Sequence, residues 1–298
     1  MSLHFWKMTG AGNDFVVLPS LPGALPIPPS DFVQRICRRG VSVGADGVLF
    51  VAPAADATMS TREARGVPAG AGGEEPRSGA DVVLIHYNSD GGRSEFCGNG
   101  SRCAARFAVL TGVASSPLRL ATDAGVLLAE IQGADVRIEV PPPSDPVEIA
   151  LEAMGRTSTG WSVRAGVPHF VVPVADPAAV DVARLGAALR AHPVHGPAGA
   201  NIDFVGPLEG GRARLRTFER GVEAETLACG SGAIAAAAVL AKLGAAPPIL
   251  LTPTSGIDLR VDYGAGSAAP RRFHLTGEAR VVFEGRLESS ELGAGAWV

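Results

Sequence analysis

The sequence has no block of Lys or Arg, and its formal net charge is −4. A nucleic-acid or membrane-surface partner, which would need a basic patch, is therefore not expected. No apolar run approaches the ~20 residues of a membrane-crossing helix. The opening "MSLHFWKMTG" lacks the basic, then apolar, then small-residue order of a signal peptide. Cysteine is scarce: there are four in 298 residues, none spaced C-x-x-C. That is too few for a disulfide scaffold and points to a reducing cytoplasm. What is present, 46% hydrophobic and 19% charged residues, is the composition of a globular protein. The length allows two domains.

Two segments stand out because they resemble each other. "SEFCGNGSRCAARFAVLTG" (94–112) and "ETLACGSGAIAAAAVLAKLG" (225–244) each place a cysteine before a glycine-bearing helix start. About three Ala-rich turns and a glycine stop follow. Cys97 and Cys229 are 132 positions apart, as are Gly100 and Gly232, and Gly112 and Gly244. Downstream, "PLRLATDAG" (117–125) matches "PILLTPTSG" (248–256) at an offset of 131, each reading as a short strand and turn. Upstream, "NDFVV" matches "PHFVV", and "GADGVLFV" matches "GANIDFVG", at an offset of 155. The difference predicts an insertion of 24 residues in the first half, placed at about 53–80. That interval is poor in large apolar residues and reads as a mobile loop.

The chain is thus expected to be a tandem of two similar halves, with the boundary in "VRIEVPPPSDP" (136–146). "AIAAAAVLAKL" (233–243) is apolar nearly all round, so sheet should wrap it.

A helix N-terminus offers unpaired N–H donors and about half a positive charge. It binds carboxylates, and it lowers a thiol pKa from ~8.5 toward neutrality. Two such thiols on opposite faces of an amino-acid Cα could invert it, one removing the proton and the other returning one. The helix-start donors would hold the charge moving onto the carboxylate. A lone cysteine beside glycine in an Ala-rich helix is more commonly a small buried apolar residue. Cys37 and Cys103, which lack repeat partners, are read that way, whereas Cys97 and Cys229 are set apart by the duplication. His4, His86, His192, His195 and His274 are read as surface or structural histidines.

At these residues the chain resembles the diaminopimelate epimerases. The motifs are "KMTGAGNDFVVL" (7–18), "GADGVLF" (44–50), "NSDGGRSEFCGNGSRCAARF" (88–107), "GANIDFV" (199–205) and "FERGVEAETLACGSGA" (218–233). The resemblance implies an α+β fold of two similar domains related by a pseudo-twofold duplication, each a β-sheet barrel wrapped around a central helix. One domain would comprise 1–141 plus a C-terminal strand, 278–298, and the other 142–277. It implies interconversion of LL- and meso-2,6-diaminopimelate, on the route to lysine and peptidoglycan, with no cofactor and no metal. Cys97 and Cys229 match the acid/base pair. Gly98, Asn99, Gly230 and Ser231 match the donors around the α-carboxylate. Asn13, Asn88 and Asn201 match substrate-contacting amides for the distal end. Arg220 fits a carboxylate bidentately and Glu219 can take an ammonium. His169, with Glu219, matches a residue that sets the protonation of the thiols. Phe283 falls at an aromatic dimer contact, implying a homodimer.

Two positions depart from the family pattern. Many members carry Gln where this chain has Gly47 and Asn where it has Val167, so the distal pocket loses two polar side chains. Two other readings compete. A proline racemase or hydroxyproline epimerase would share the fold, but its first site typically reads Cys-Gly-His. A thiol-based redox or binding protein would pair Cys97 with Cys229 in a regulatory disulfide.

Overall fold

The structure, a computed structural model, describes residues 2–25, 27–56, 79–94, 96–264 and 272–288. Most of the insertion expected at 53–80, namely 57–78, lies outside the described residues. The chain divides into two compact units. One runs to Ile138 and resumes at Glu278; the other is Glu139–Gly277.

The first unit opens with a hairpin of β1 (Ser2–Gly10) and β2 (Asn13–Leu18). Ala11 (φ 56) and Gly12 (φ 99) both take left-handed backbone, as a tight two-residue hairpin turn demands. The turn sets Asn13 opposite Gly10, at the very start of β2. There follow α1 (Pro29–Ile36), β3 (Gly47–Pro53), β4 (Val82–Asn88) and α2 (Gly98–Leu110). The run ends with β5 (Leu118–Thr122), β6 (Gly125–Gln132) and β7 (Asp135–Val140). β2 lies parallel to β3, and β3 antiparallel to β4.

The second unit begins with β8 (Val147–Ala153), β9 (Arg156–Ala165) and β10 (Val167–Pro173). A short helical stretch, 182–190, precedes β11 (Asn201–Val205), β12 (Arg212–Glu219) and β13 (Ala224–Thr226). Next come α3 (Gly230–Lys242), β14 (Ile249–Thr252), β15 (Leu259–Tyr263) and β16 (Phe273–Glu278). Here β10 lies parallel to β11 and β11 antiparallel to β12, the same order as β2, β3 and β4. The last strand, β17 (Arg280–Glu288), pairs with β1 and so belongs to the first unit.

Strand alternation sorts the core into two faces. In the first unit Val16, Leu18, Val48, Phe50, Ile85 and Tyr87 turn to one side and pack with Phe32, Val33 and Ile36 of α1. In the second, Phe170, Val172, Ile202, Phe204 and Phe218 pack with Val182 and Leu189 of the short helical stretch. The other face meets the long helix. α2 touches β1 through β6; α3 touches β9 through β12 together with β14 and β15. Strands on so many sides suit a helix with little need of a wet face, and α3 is buried at every position from Gly232 to Leu240. Its run of alanines lets the strands come close. Both helices stop at a left-handed glycine, Gly112 (φ 74) and Gly244 (φ 98), where a side chain would be strained. Among the described residues no helix is long and apolar enough to cross a membrane.

Candidate active site

Both long helices begin the same way. Cys97 is the N-cap of α2, with extended backbone (φ −143, ψ 109), and its sulfur accepts the Gly100 N–H at 3.4 Å. Cys229 is the N-cap of α3 (φ −118, ψ 113), and its sulfur accepts the Gly232 N–H, also at 3.4 Å. Each sulfur thus does the work usually left to a Ser or Asp oxygen. The first-turn amides, Gly98 and Asn99 in α2 and Gly230 and Ser231 in α3, have no acceptor within their own helix. They are the groups each helix can offer an anion.

The surroundings of the two thiols differ, although their helix starts are alike in sequence. Cys229 is buried, 5% exposed, with Ser231 Oγ 3.4 Å from its sulfur. Burial, and then the nearby carboxylates of Glu219 and Asp203, push its thiol well above the usual range. The lowering expected from a helix start is overridden there, because leaving water costs a thiolate more than a helix terminus returns. Cys97 is half-buried, and its sulfur lies 3.8 Å from Asn13 Oδ1. Cys37 and Cys103 fit the packing role: burial pushes each up to about 12. All four cysteines are free thiols.

Beside Cys229 stands a buried polar chain. His169 Nδ1 is 2.7 Å from Asp203 Oδ2, and the Thr217 hydroxyl donates to Asp203 Oδ1 at 2.7 Å. Both side chains of the His169–Asp203 pair are fully buried. With Nδ1 turned to the carboxylate, the remaining ring nitrogen, Nε2, is buried with no hydrogen-bond partner. Glu219 accepts from Thr226 Oγ1. Burial raises the Glu219 carboxyl above its ordinary value and Asp203 adds to this, while the Thr226 hydroxyl, the Cys229 thiol and His169 act against it.

The other expected residues hold defined places. Asn201 is buried, and its Oδ1 accepts the Arg220 N–H at 2.9 Å. The half-buried Arg220 guanidinium has no ion pair among the described residues, which leaves its fork open for a carboxylate. Asn13 Nδ2 donates to Asp46, within a network in which Arg39 bridges Asp14 and Asp46, and Lys7 pairs with Asp14 at 2.7 Å. Burial raises the Asp14 carboxyl, but its bonds to Arg39 and Lys7 outweigh that and hold it low. Asn88 ends β4 with an exposed side chain. Gly47 is buried in the same row, directly opposite Asn88. Among the described residues no three His, Cys, Asp or Glu side chains cluster as a metal site.

Strand register explains the asymmetry between the thiols. In the first unit one row across the sheet is Phe15–Gly47–Asn88, and the next contains Leu49 and His86. In the second unit His169 pairs with Asn201 at the strand ends, and Asp203 pairs with Thr217 in the next row. The helices confirm the match: a Cβ on Gly100 would meet Leu49, and a Cβ on Gly232 would meet Asp203 Oδ1 and Thr217 Oγ1. Leu49 therefore corresponds to Asp203, an offset of 154. The offset of 155 read from the upstream letters is one residue too long, and the insertion correspondingly one shorter. A one-residue slip exchanges the two faces of a strand. Phe15 corresponds to His169 and not to Phe170, so a largely apolar wall faces Cys97 where an acid–base chain faces Cys229.

Two residues of consequence were not singled out from sequence. One is Asp203; a carboxylate inside the apolar strand "NIDFV" is the available signal. The other is Arg102, on α2, which is 0% exposed. Its guanidinium donates to Asn99 Oδ1 at 2.8 Å and to the Gly98 carbonyl at 3.3 Å, its Nε is unpartnered, and it has no ion pair among the described residues. Taking such a charge out of water costs several kcal/mol, and among the described residues no paired carboxylate offsets it.

Comparison with known proteins agrees with this architecture. The family described as diaminopimelate epimerase matches residues 5–143 and 161–266. The diaminopimelate epimerase of Aquifex aeolicus is 38% identical over 301 aligned positions, covering 97% of this chain and 99% of that protein. The diaminopimelate epimerase of Gemmatimonas aurantiaca is also 38% identical, covering 96% and 99%. A solved hydroxyproline epimerase from Agrobacterium vitis is similar in fold, with a TM-score of 0.66 over 99% of this chain and 97% of that one. At 16% identity it bears on the fold alone. The two-unit, helix-centred α+β architecture and these matches together establish that the chain belongs to the diaminopimelate epimerase family.

Proposed function

We propose that this protein interconverts LL- and meso-2,6-diaminopimelate by proton transfer at one Cα, without a cofactor, and so serves lysine and peptidoglycan precursor synthesis. The observation that carries the reading is the matched pair of N-cap thiols, one heading the central helix of each unit, in a chain of this family.

The chemistry follows from the groups at each helix start. The substrate α-carboxylate takes N–H donors of Gly98, Asn99, Gly230 and Ser231. One sulfur, as thiolate, removes the α-proton, and the electron pair of the broken C–H bond moves onto the carboxylate. Those N–H groups hold the added charge where it develops. The other cysteine, as thiol, gives its proton to the opposite face of Cα. Inversion follows, and the two thiols end with their protonation states exchanged. In the reverse direction the roles reverse.

Glu219 and the His169–Asp203 pair tune Cys229, since the field of each reaches its sulfur or its neighbour. Arg220, Asn13, Asn88 and Asn201 read the distal amino-acid end, with Glu219 also available to an ammonium group. The protein works in the cytoplasm as a homodimer, with no nucleic-acid or membrane partner. The exposed Val282 and Phe283 of β17 offer apolar surface for the dimer contact.

Incubating the reduced protein with LL-diaminopimelate in D2O, with nothing added, should yield α-deuterated meso product. Turnover of proline with none of diaminopimelate would move the chain to the proline racemase chemistry.

A further inference from the structure

Behind its thiol, α2 buries a charged side chain at a position where α3 buries none. Arg102 lies 132 positions before Ile234, so the buried side chain that is aliphatic in α3 is a guanidinium in α2. Long side chains on a helix point back toward its N-terminus. Arg102 does so, reaching the Gly98 carbonyl and Asn99 Oδ1 in the turn that Cys97 caps. The strand walls differ in the opposite sense: Asp203 and Glu219 face Cys229, and Leu49 lies at the place matching Asp203 in the first unit.

We propose that Arg102 is the positioning residue that holds Cys97 as the thiolate of the resting protein, while Cys229 rests as the thiol. This rests on the two-thiol reading of the site. A buried cation with no carboxylate paired to it projects its field on whatever ionises nearby, and thiols stand first among those groups. The fields of Cys103 and Cys97 both act on Arg102, ahead of those of Asp135 and Glu278. Arg102 in turn favours the ionised form of Cys103. The same interaction must favour the ionised form of Cys97, because a pairwise charge interaction is reciprocal.

Glu278 opposes ionisation of Cys103, but less than Arg102 favours it, and the other groups around α2 leave this balance in place. Burial holds the His86 imidazole down to about 4, so it is neutral at cellular pH. Lys7 and Asp14 satisfy each other. Asn13 Oδ1 works in the opposite direction as an acceptor for a Cys97 proton, at the long distance of 3.8 Å. Arg102 also holds the Asn99 side chain inward through its oxygen.

The test is site-resolved alkylation with iodoacetamide, from about pH 5 to pH 10, with Cys97 and Cys229 read on separate peptides by mass spectrometry. In the unmodified protein Cys97 should titrate below Cys229. In Arg102→Met the Cys97 midpoint should rise by about one pH unit or more, cutting its alkylation rate at neutral pH about tenfold. Arg102→Lys should restore most of the rate, and the Cys229 profile should not move. A Cys97 midpoint unchanged in folded Arg102→Met overturns the proposal. If Arg102→Met does not fold, the unmodified protein decides alone: Cys229 titrating below Cys97 overturns it as well. Alkylation needs no turnover, so the predicted profile in a protein inert toward diaminopimelate would support the charge arrangement and overturn the functional reading instead.

Discussion

Asp203 offers a sharp test because two substitutions at it separate charge from hydrogen bonding. Its two oxygens accept from His169 Nδ1 and Thr217 Oγ1, each at 2.7 Å, and all three side chains are buried. Asp203→Ala strands both partners. An unsatisfied buried polar group costs about 1–3 kcal/mol, so the variant should lose roughly 2–6 kcal/mol. Asp203→Asn keeps the shape. Its amide oxygen can accept from His169, and its NH2 can donate to the Thr217 hydroxyl oxygen, so both contacts survive in neutral form. That variant should lose about 1 kcal/mol, the difference between a charge-assisted and a neutral hydrogen bond. Urea unfolding followed by tryptophan fluorescence reads the loss as a shift in midpoint at constant slope. Removing the charge should also let the Cys229 thiol ionise at lower pH, since Asp203 is among the groups that raise it. Equal destabilisation in the two variants would refute the reasoning, because charge and not hydrogen-bond satisfaction would then be what the site requires.

Two further predictions concern pH. His86 is buried without a partner, and its folded-state pKa of about 4 lies below the unfolded 6.5. The unfolded chain therefore binds the proton first, and stability is lost as pH falls from 6.5 to 4. The loss amounts to about 3 kcal/mol. His86→Leu should flatten that part of the stability curve, and an unchanged acid slope counts against the assignment. Glu219 is raised, so the unfolded chain gives up its proton first and stability falls as pH rises from the unfolded value to the folded one. Glu219→Gln should thus be more stable than the parent above that window while losing epimerisation about 100-fold or more. A variant as active as the parent would remove Glu219 from the site.

Much of the site is legible in the sequence because its chemistry is local. A cysteine, a glycine and two first-turn amides are consecutive residues, so Cys97 and Cys229 and their helix starts can be read from short repeated strings. The α+β fold follows similarly, since an Ala-rich helix that is apolar all round must be enclosed by sheet. What escapes depends on register and on the third dimension. Matching "NDFVV" to "PHFVV" aligns identical letters but the wrong face, and only the pairing of His169 with Asn201 and of Phe15 with Gly47 corrects it. Asp203 is one acid in a strand, and nothing in the string tells that it meets His169. Arg102 looks like any charged residue on a helix; its burial follows from strands on every side of α2. For the same reason the two helix starts read alike, although the groups behind them carry opposite charge.

The central claim is that the two N-cap thiols act as one base and one acid on the same carbon. It is tested most directly with Cys97→Ala and Cys229→Ala, purified separately under reducing conditions and assayed for conversion of LL- to meso-diaminopimelate. Each single substitution should abolish turnover, falling by at least about 1000-fold, because removing either member of an acid–base unit costs nearly as much as removing both. Turnover surviving in both variants would contradict the account.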